Sequence, residues 1–249
     1  MKYSAKQEEE LMADLWTANI KDDPLNFVKY VFPWDQEGTP LEGFKGPRKW
    51  QEKILRDLAN HIQKNAGKFD PNMFRLAVAS GRGIGKSALV AWIILWMLST
   101  RLGSTVIVTA NTEQQLRSRT WAELGKWLTL SINGHWFNKT ATTLKPVDWF
   151  EASLVKDLQI DTGYYYAQAQ LWSEENPDAF AGIHSNYGVC LIMDEASGIP
   201  APIYSVAEGF FSEPTENRFW FAFSNPRRNQ GPFYDSFHGA KSFWNTEQI

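Results

Sequence analysis

The sequence is poor in the features that mark secreted and membrane-spanning proteins. It contains a single cysteine, Cys190, so no disulfide can form within the chain, which favours a reducing compartment. Its longest apolar run, residues 88–98, has eleven residues and is too short to span a bilayer. The acidic amino end, residues 1–14, has no apolar segment of the signal-peptide type. We therefore expect a cytoplasmic protein that is not secreted and has no membrane partner.

An excess of positive charge is also missing. The chain has 25 lysines and arginines against 28 aspartates and glutamates, a formal net charge of −3. This balance argues against a strongly basic, independent nucleic-acid binder, although it allows a local basic patch or a shared site. Apolar residues are plentiful at 43%, with twelve tryptophans among 249 residues, which predicts a globular chain with one large domain or a core and a small subdomain.

One stretch joins a short apolar run to a glycine-rich loop and a strongly apolar helix. Residues 80–87 have the sequence Ser-Gly-Arg-Gly-Ile-Gly-Lys-Ser. Glycines let backbone N–H groups approach an anion, and the helix that follows points its positive end at the same place. Lys86 is then expected to reach the β- and γ-phosphates of a nucleotide, and the Ser87 hydroxyl to bind Mg²⁺. The predicted nucleotide-binding positions of this loop are Ser80, Gly81, Gly83, Ile84, Gly85, Lys86, Ser87 and Ala88.

The loop departs from the usual G-x-x-x-x-G-K-[ST] pattern at one position, where Ser80 replaces the first glycine. The alternative is a tight turn between a strand and a helix that carries a surface lysine. The flanking strand and helix favour the phosphate loop, because that loop requires both.

A second apolar run, residues 187–193, ends in the adjacent carboxylates Asp194 and Glu195. A continuous run of this kind predicts a strand that is buried on both faces of a parallel sheet. The carboxyl ends of such strands line the ligand crevice, so Asp194 is placed to hold Mg²⁺ and Glu195 to orient an attacking water. The alternative is the start of a solvated loop, which the phosphate-loop context disfavours.

Two further positions are candidates for nucleotide contacts. Residues 217–224 predict a third apolar strand that ends at Ser224 and Asn225, whose small polar groups could sense the γ-phosphate. A plain Asn-Pro turn explains them equally well. Gln51 lies near the start of a helix that begins at Pro47, and its amide can pair with an adenine edge, although taken alone it is more typical of a helix surface.

The rest of the pattern alternates helices and strands and predicts an α/β fold. We expect helices over residues 5–20, from Pro24, over 47–66, 86–102 and from Asn111 or Thr112 to about residue 130. Other expected elements are a loop at 33–47, a strand at 104–110, a hairpin of 157–161 with 164–171 around Asp161-Thr162-Gly163, a turn and short helix at 176–183, and a short helix at 233–238.

Taken together, residues 45–235 resemble the ATPase domain of the large subunit of tailed-phage terminases, the motors that package viral DNA. The resemblance depends on Gln51 as an adenine motif and on the variant phosphate loop (Walker A) with Arg82 four residues before Lys86. It also depends on the Walker B ending Asp194-Glu195-Ala196 and on Ser224-Asn225-Pro226 after the next strand. The resemblance implies that Arg82 and Lys86 contact phosphates, that Glu195 activates water and that Ser224 and Asn225 couple hydrolysis to movement.

The resemblance also implies a fold and a set of partners. The fold is RecA-like, of the ASCE type of P-loop NTPase, with a mostly parallel sheet, an additional strand between the Walker strands and a small helical lid. The expected division is an N-terminal helical or lid segment (1–45), a P-loop ATPase core (46–235) and the start of a lid or linker (236–249). The implied cofactors are ATP and Mg²⁺. The implied partners are double-stranded DNA, the portal protein, the small terminase subunit, a C-terminal nuclease domain and further copies in a ring, in the cytoplasm of a bacterial host. No nuclease activity is expected from these residues.

One departure concerns arginine. Some terminases carry an arginine that acts across a subunit boundary shortly before Walker B, and the corresponding residues here, 180–183, contain none. Other candidates for this role are Arg101, Arg117, Arg119, Arg218 and Arg228. Two alternatives stay open: a helicase-like translocase, which needs a second RecA-like domain, and a nucleotide-binding switch that hydrolyses nothing.

Overall fold

The computed structural model describes residues 3–249, which form helices on both sides of one sheet. The α-helices in this part of the chain are α1 (Ala5–Leu15), α2 (Ala18–Lys21), α3 (Pro24–Val31), α4 (Lys49–Asn65), α5 (Lys86–Thr100), α6 (Glu113–Gln115), α7 (Ala122–Leu130), α8 (Asp148–Leu158), α9 (Ala201–Glu208) and α10 (Pro232–Asp235). The strands are β1 (Phe74–Ala79), β2 (Thr105–Thr109), β3 (Phe137–Lys139), β4 (Thr143–Pro146), β5 (Tyr166–Ala169), β6 (Val189–Asp194), β7 (Arg218–Ser224) and β8 (Asn245–Gln248).

The sheet has eight strands in the order β3-β4-β5-β2-β6-β7-β1-β8. Strands β5, β2, β6, β7, β1 and β8 are parallel, and only the β3–β4 and β4–β5 pairs among these strands are antiparallel. β7 lies between β1 and β6, which confirms the expected additional strand between the two motif-bearing strands. The register pairs Ala79 with Ser224 and Asp194 with Phe223, so these three strands end at the same edge of the sheet.

Both faces of the central strands are buried, because alternate side chains enter two separate hydrophobic clusters. Phe219, Phe221 and Phe223 of β7 belong to the cluster that also contains α4 and α5, whereas Trp220 and Ala222 belong to the cluster under α9. Nearly the whole of α5 is buried, since it packs between the sheet and the N-terminal helices. This double burial explains the continuous apolar runs and fixes where each strand ends.

The N-terminal helices pack directly on the core. Leu15, Phe27 and Val28 are fully buried in the same cluster as α4 and α5. The indole N–H of Trp96 in α5 donates to the carbonyl of Lys21 at 3.0 Å, and the guanidinium of Arg101 binds the Asp22 carboxylate at 2.9 Å. The division of the chain at residues 45 and 235 stays a prediction.

Most expected elements are present, but the hairpin around residue 162 is wrong. Residues 157–158 end helix α8, whose first turn carries Asp148 and Glu151, residues that favour a helix N-terminus. The turn itself forms, with the Gly163 N–H donating to the Asp161 side chain at 2.9 Å, but it joins α8 to β5. The segment expected to be one helix over 5–20 is divided into α1 and α2 near Thr17, and no helix in residues 3–249 is long and apolar enough to cross a membrane.

Candidate functional site

The glycine loop between β1 and α5 curls so that it exposes its backbone at the N-terminus of a 15-residue helix. Gly83 and Gly85 have φ values of +72° and +95°, in a region that favours glycine, and a Cβ on Gly83 would meet nothing within 4 Å. The ammonium of Lys86 folds back over the loop, donating to the Gly81 carbonyl at 2.9 Å, to Ser80 Oγ at 3.1 Å and to Asn225 Oδ1 at 3.2 Å. Ser80, the departure from the usual pattern, is therefore a hydrogen-bond partner of the lysine.

Helix α4 supports this loop from behind. The Gln51 side chain is 3% exposed, donates from Nε2 to the Gly85 carbonyl at 2.9 Å and accepts at Oε1 from the Arg48 N–H at 2.8 Å. The indole of Trp50 donates to the Ile84 carbonyl at 3.3 Å. A Cβ on Gly85 would lie 2.9 Å from the Gln51 amide nitrogen, so only glycine allows this close approach. In this structure Gln51 holds the loop, and its role as an adenine reader stays a prediction.

Asp194 ends β6 with both carboxylate oxygens held. Oδ2 accepts from the hydroxyl of Thr120 at 2.7 Å, and Oδ1 accepts from the backbone N–H of Glu195 at 3.0 Å. Thr120 is fully buried and lies on a π-helical segment, Leu116–Trp121, between α6 and α7. Such π-turns often occur at functional sites. The sequence predicted a plain helix here and did not identify Thr120.

Glu195 has a left-handed backbone conformation, with φ +53° and ψ +39°, which is uncommon for a residue other than glycine or asparagine. Its carbonyl accepts from Asn111 Nδ2 at 3.1 Å, just after β2. Asn111 therefore holds this turn from the neighbouring strand, a contact that sequence analysis missed because 84 residues separate the two partners.

The end of β7 connects the turn after β6 with the glycine loop. The hydroxyl of Ser224, fully buried, donates to Ser197 Oγ at 2.8 Å and accepts from the Ser197 N–H at 3.1 Å. The Ser224 carbonyl accepts from the Ser80 N–H at 3.0 Å. With Asn225 bound to Lys86, these contacts give β7 a direct connection to both neighbouring loops.

A cavity of about 440 Å³ brings most of the predicted residues together. Its lining consists of Arg82, Gly83, Gly85, Lys86, Ser87, Ala88, Arg119, Glu123, Asp194 and Glu195. Burial lowers the pKa of Lys86, opposed by the attraction of Asp194 and Glu195 and reinforced by Arg82. Burial likewise raises the pKa of Asp194, opposed by the Thr120 hydrogen bond. Both pKa shifts have the direction expected when burial removes water from an ionised side chain and so disfavours its charged form.

The five candidate arginines are in different environments. Arg119 lines the 440 Å³ cavity, whereas Arg228 lines a second cavity beside it. Arg101 is bound to Asp22, Arg117 to Glu113 at 2.8 Å, and Arg218 to backbone carbonyls that include that of Thr215. Of these five, Arg119 is therefore the one that shares a cavity with Lys86, Asp194 and Glu195.

The residues of the 440 Å³ cavity fit a magnesium–nucleotide complex. Ser87 and Asp194 both line this cavity, and their hydroxyl and carboxylate groups would supply the oxygen ligands that Mg²⁺ prefers. A Cβ on Gly83 would meet nothing within 4 Å, so the loop is open at this position, and the N-terminus of α5 that follows it favours an anion. Lys86, Arg82 and Arg119 add positive charge to the same cavity.

The fold is RecA-like and matches solved structures of phage terminases. The large terminase ATPase domain of Thermus phage P74-26 aligns with a TM-score of 0.53 and 18% identity, covering 83% of this chain and 82% of that one. The large terminase of another thermophilic bacteriophage, solved in complex with ADP, aligns with a TM-score of 0.50 and 14% identity over 87% of this chain. This chain spans 42% of that second terminase. No protein-family model and no curated protein matches the sequence.

Proposed function

We propose that this chain is the ATPase domain of a large terminase subunit, and that it hydrolyses Mg²⁺-ATP to drive double-stranded DNA into a viral procapsid. The observation that carries the proposal is the convergence of Lys86, Ser87, Asp194 and Glu195 in one cavity at the carboxyl edge of a RecA-like sheet. The similarity of the fold to terminase ATPase domains, one of them solved with ADP, supports the choice of nucleotide and of motor.

In this proposal the residues of the cavity divide the work of phosphoryl transfer, and bound Mg²⁺-ATP supplies the phosphoryl group and the metal charge. The backbone N–H groups of residues 83–88 bind phosphate oxygens, and Lys86 and Arg82 neutralise charge on them. Ser87 and Asp194 hold the metal. Glu195, whose turn is fixed by Asn111, orients a water and accepts its proton.

The partners follow from the same proposal. A motor of this kind needs double-stranded DNA, a portal protein, a small terminase subunit, a nuclease domain in the longer protein and further copies of itself in a ring. Arg119, with its exposed side chain at the mouth of the cavity, is a candidate for the residue that responds to a neighbouring subunit or to DNA. The expected location is the cytoplasm of the bacterial host.

The test is Mg²⁺-ATP hydrolysis in the assembled motor, with and without double-stranded DNA. Lys86→Ala is expected to weaken nucleotide binding, while Glu195→Gln keeps binding but slows turnover by ~10²–10⁴-fold, because it removes the proton acceptor. Glu174→Gln, on an exposed loop, is the matched control and is expected to match the wild type. Hydrolysis that survives Glu195→Gln contradicts the mechanism. A wild-type motor that binds ATP but never hydrolyses it favours the nucleotide switch.

A further inference from the structure

Strand β8 forms one edge of the sheet, and its outer side is free in the part of the chain that the structure describes. Its four residues, Asn245–Gln248, pair with β1 alone. The N–H of Ile249 donates to the Ala79 carbonyl at 3.0 Å, and the backbone groups of alternate residues point to opposite sides of a strand. The N–H and C=O groups of Thr246 and Gln248 therefore point away from β1, where an extended segment can pair with them.

A cavity of about 480 Å³, the edge cavity, opens at the amino end of β8. The residues that line it include Arg75, Glu208, Asp235, Phe243 and Trp244. The Arg75 guanidinium is already occupied, because it donates to both carboxylate oxygens of Glu208, at 2.8 and 2.6 Å, and lies 5.9 Å from the centre of the Trp244 ring. This ion pair belongs to the fixed wall of the cavity.

The rest of the lining combines an apolar wall with a free negative charge. Phe243 is 71% exposed and stands beside Trp244. Asp235 is exposed, and its carboxylate has no partner among residues 3–249. Because Arg75 and Glu208 neutralise each other, Asp235 leaves the edge cavity with one uncompensated negative charge.

A basic side chain fits both parts of this lining. The aliphatic part of a lysine or arginine can pack on Phe243, while its charged end reaches the carboxylate of Asp235. A nucleic-acid backbone does not fit, because its phosphates carry the same sign of charge as Asp235. A second copy of β8 does not fit either, since its sequence, Asn-Thr-Glu-Gln, contains no basic residue.

We propose that β8 and the edge cavity together dock an extended segment of a partner protein, which pairs with the outer edge of β8 and places a lysine or arginine side chain in the cavity. Main-chain hydrogen bonds at Thr246 and Gln248 supply affinity, and the cavity supplies specificity, as in other cases where a peptide adds a strand to a sheet. No nucleotide takes part, so this inference does not depend on the proposed function.

The first test measures fluorescence anisotropy of a labelled probe peptide, made of alternating threonine and valine with one central arginine. Replacing that arginine with citrulline, which has a similar shape but no charge, is expected to weaken binding to the wild-type chain by ~10–100-fold, the usual effect of hydrogen bonds to charged groups. Asp235→Asn is expected to bind the two peptides with similar affinity. Asp70→Asn, on an exposed loop outside the cavity, is the matched control and should behave like the wild type.

The second test addresses strand pairing. In a paired strand, alternate N–H groups point to the neighbour, so N-methylation of one alternate set of peptide bonds in the probe is expected to abolish binding, while methylation of the other set preserves it. Thr246→Pro removes an N–H that points outward and no bond to β1, so it is expected to weaken binding of the arginine peptide by about 10-fold while the melting temperature stays close to that of the wild type.

Four outcomes would overturn the inference. The first is equal affinity of the wild-type chain for the arginine and citrulline peptides, and the second is N-methylation that has the same effect in both sets. The third is a wild-type chain that binds no probe peptide. The fourth is self-association in sedimentation that Thr246→Pro abolishes, because the edge of β8 would then be an interface between copies of this chain.

Discussion

The glycine loop and the π-helical segment contribute to the same cavity, but different kinds of contact form them. The loop is continuous in sequence, and Lys86 binds Ser80 and Gly81 only a few residues away. The π-helical segment reaches the site through Thr120, which binds Asp194 across 74 residues. One half of the cavity is thus a local motif, and the other half depends on how β2 and β6 lie side by side.

In the proposed function, this difference separates the groups that bind phosphate from the groups that orient the carboxylates. The loop can present N–H groups and a lysine wherever a strand and a helix meet. The orientation of the carboxylates depends on side chains from the segment that follows the neighbouring strand β2. Thr120 binds Asp194, and Asn111 binds the carbonyl of Glu195. Groups that hold a metal ligand in place commonly affect activity almost as much as the ligand itself.

The largest predicted effect on activity concerns the π-helical half of the cavity and is expected from Thr120→Val. The substitution keeps the volume of a fully buried side chain but removes the hydroxyl that donates to Asp194. We expect ATP hydrolysis to fall by ~10–100-fold and the Mg²⁺ concentration for half-maximal activity to rise, since partners of metal ligands have effects of this size. The measurement is a Mg²⁺ titration of the steady-state rate.

Thr120→Ser is the control for this prediction, because it keeps the donor and loses only a methyl group. It should retain most of the wild-type rate and Mg²⁺ dependence. If the valine and serine variants show the same Mg²⁺ dependence, the hydroxyl does not position Asp194, and the π-helical segment has only a structural role.

The glycine loop is expected to depend on α4 for stability. Gln51→Leu keeps a buried side chain of similar size but leaves the Gly85 carbonyl and the Arg48 N–H without their partner. We expect the free energy of unfolding to fall by about 1–3 kcal/mol, the usual effect of buried polar groups that lose a hydrogen bond. Urea unfolding measures it. Gln63→Leu, on the exposed side of the same helix, should change stability by less than ~0.5 kcal/mol. Equal changes in the two variants would mean that Gln51 does not support the loop.

The sequence predicted the local half of the site much better than the other half. β1, β6 and β7 are continuous apolar runs, and parallel strands end at one edge, so Lys86, Asp194 and Asn225 could be expected together. Thr120 lies in a π-helical segment, in which each turn contains more residues than in an α-helix. The α-helical period of 3.6 residues therefore does not predict which side chains of this segment face the site.

Gln51 and the turn around Asp161 show two further limits. Gln51 lies where a residue that binds adenine is expected, but its side-chain amide donates to the carbonyl of Gly85, 34 residues away. No local sequence pattern predicts that contact. At Asp161 the turn chemistry was correct, but a turn does not determine whether a helix or a strand precedes it. The second cavity, which Arg228 lines, could not be expected, because its walls combine residues 79–81 with residues 225–238 and 248–249, far away in the sequence.

The last prediction concerns Asp194→Asn, which is expected to raise stability while it removes activity. Burial raises the pKa of Asp194, so the folded state binds its proton more tightly than the unfolded state does. The charged carboxylate therefore reduces stability at pH values above the ordinary aspartate pKa, and an uncharged asparagine avoids this cost. We expect the variant to melt at a higher temperature than the wild type at pH 7, while hydrolysis is lost.

The pH dependence of this difference provides the check. Below the ordinary pKa of aspartate, Asp194 is protonated in both states, so the two proteins should melt at similar temperatures. The advantage of the asparagine variant should then grow as the pH rises and level off once the pH exceeds the raised pKa of Asp194. A variant that melts at a lower temperature than the wild type at pH 7 would contradict this prediction. It would mean that the hydrogen bonds donated by Thr120 and Glu195 to the charged carboxylate outweigh the cost of burying its charge.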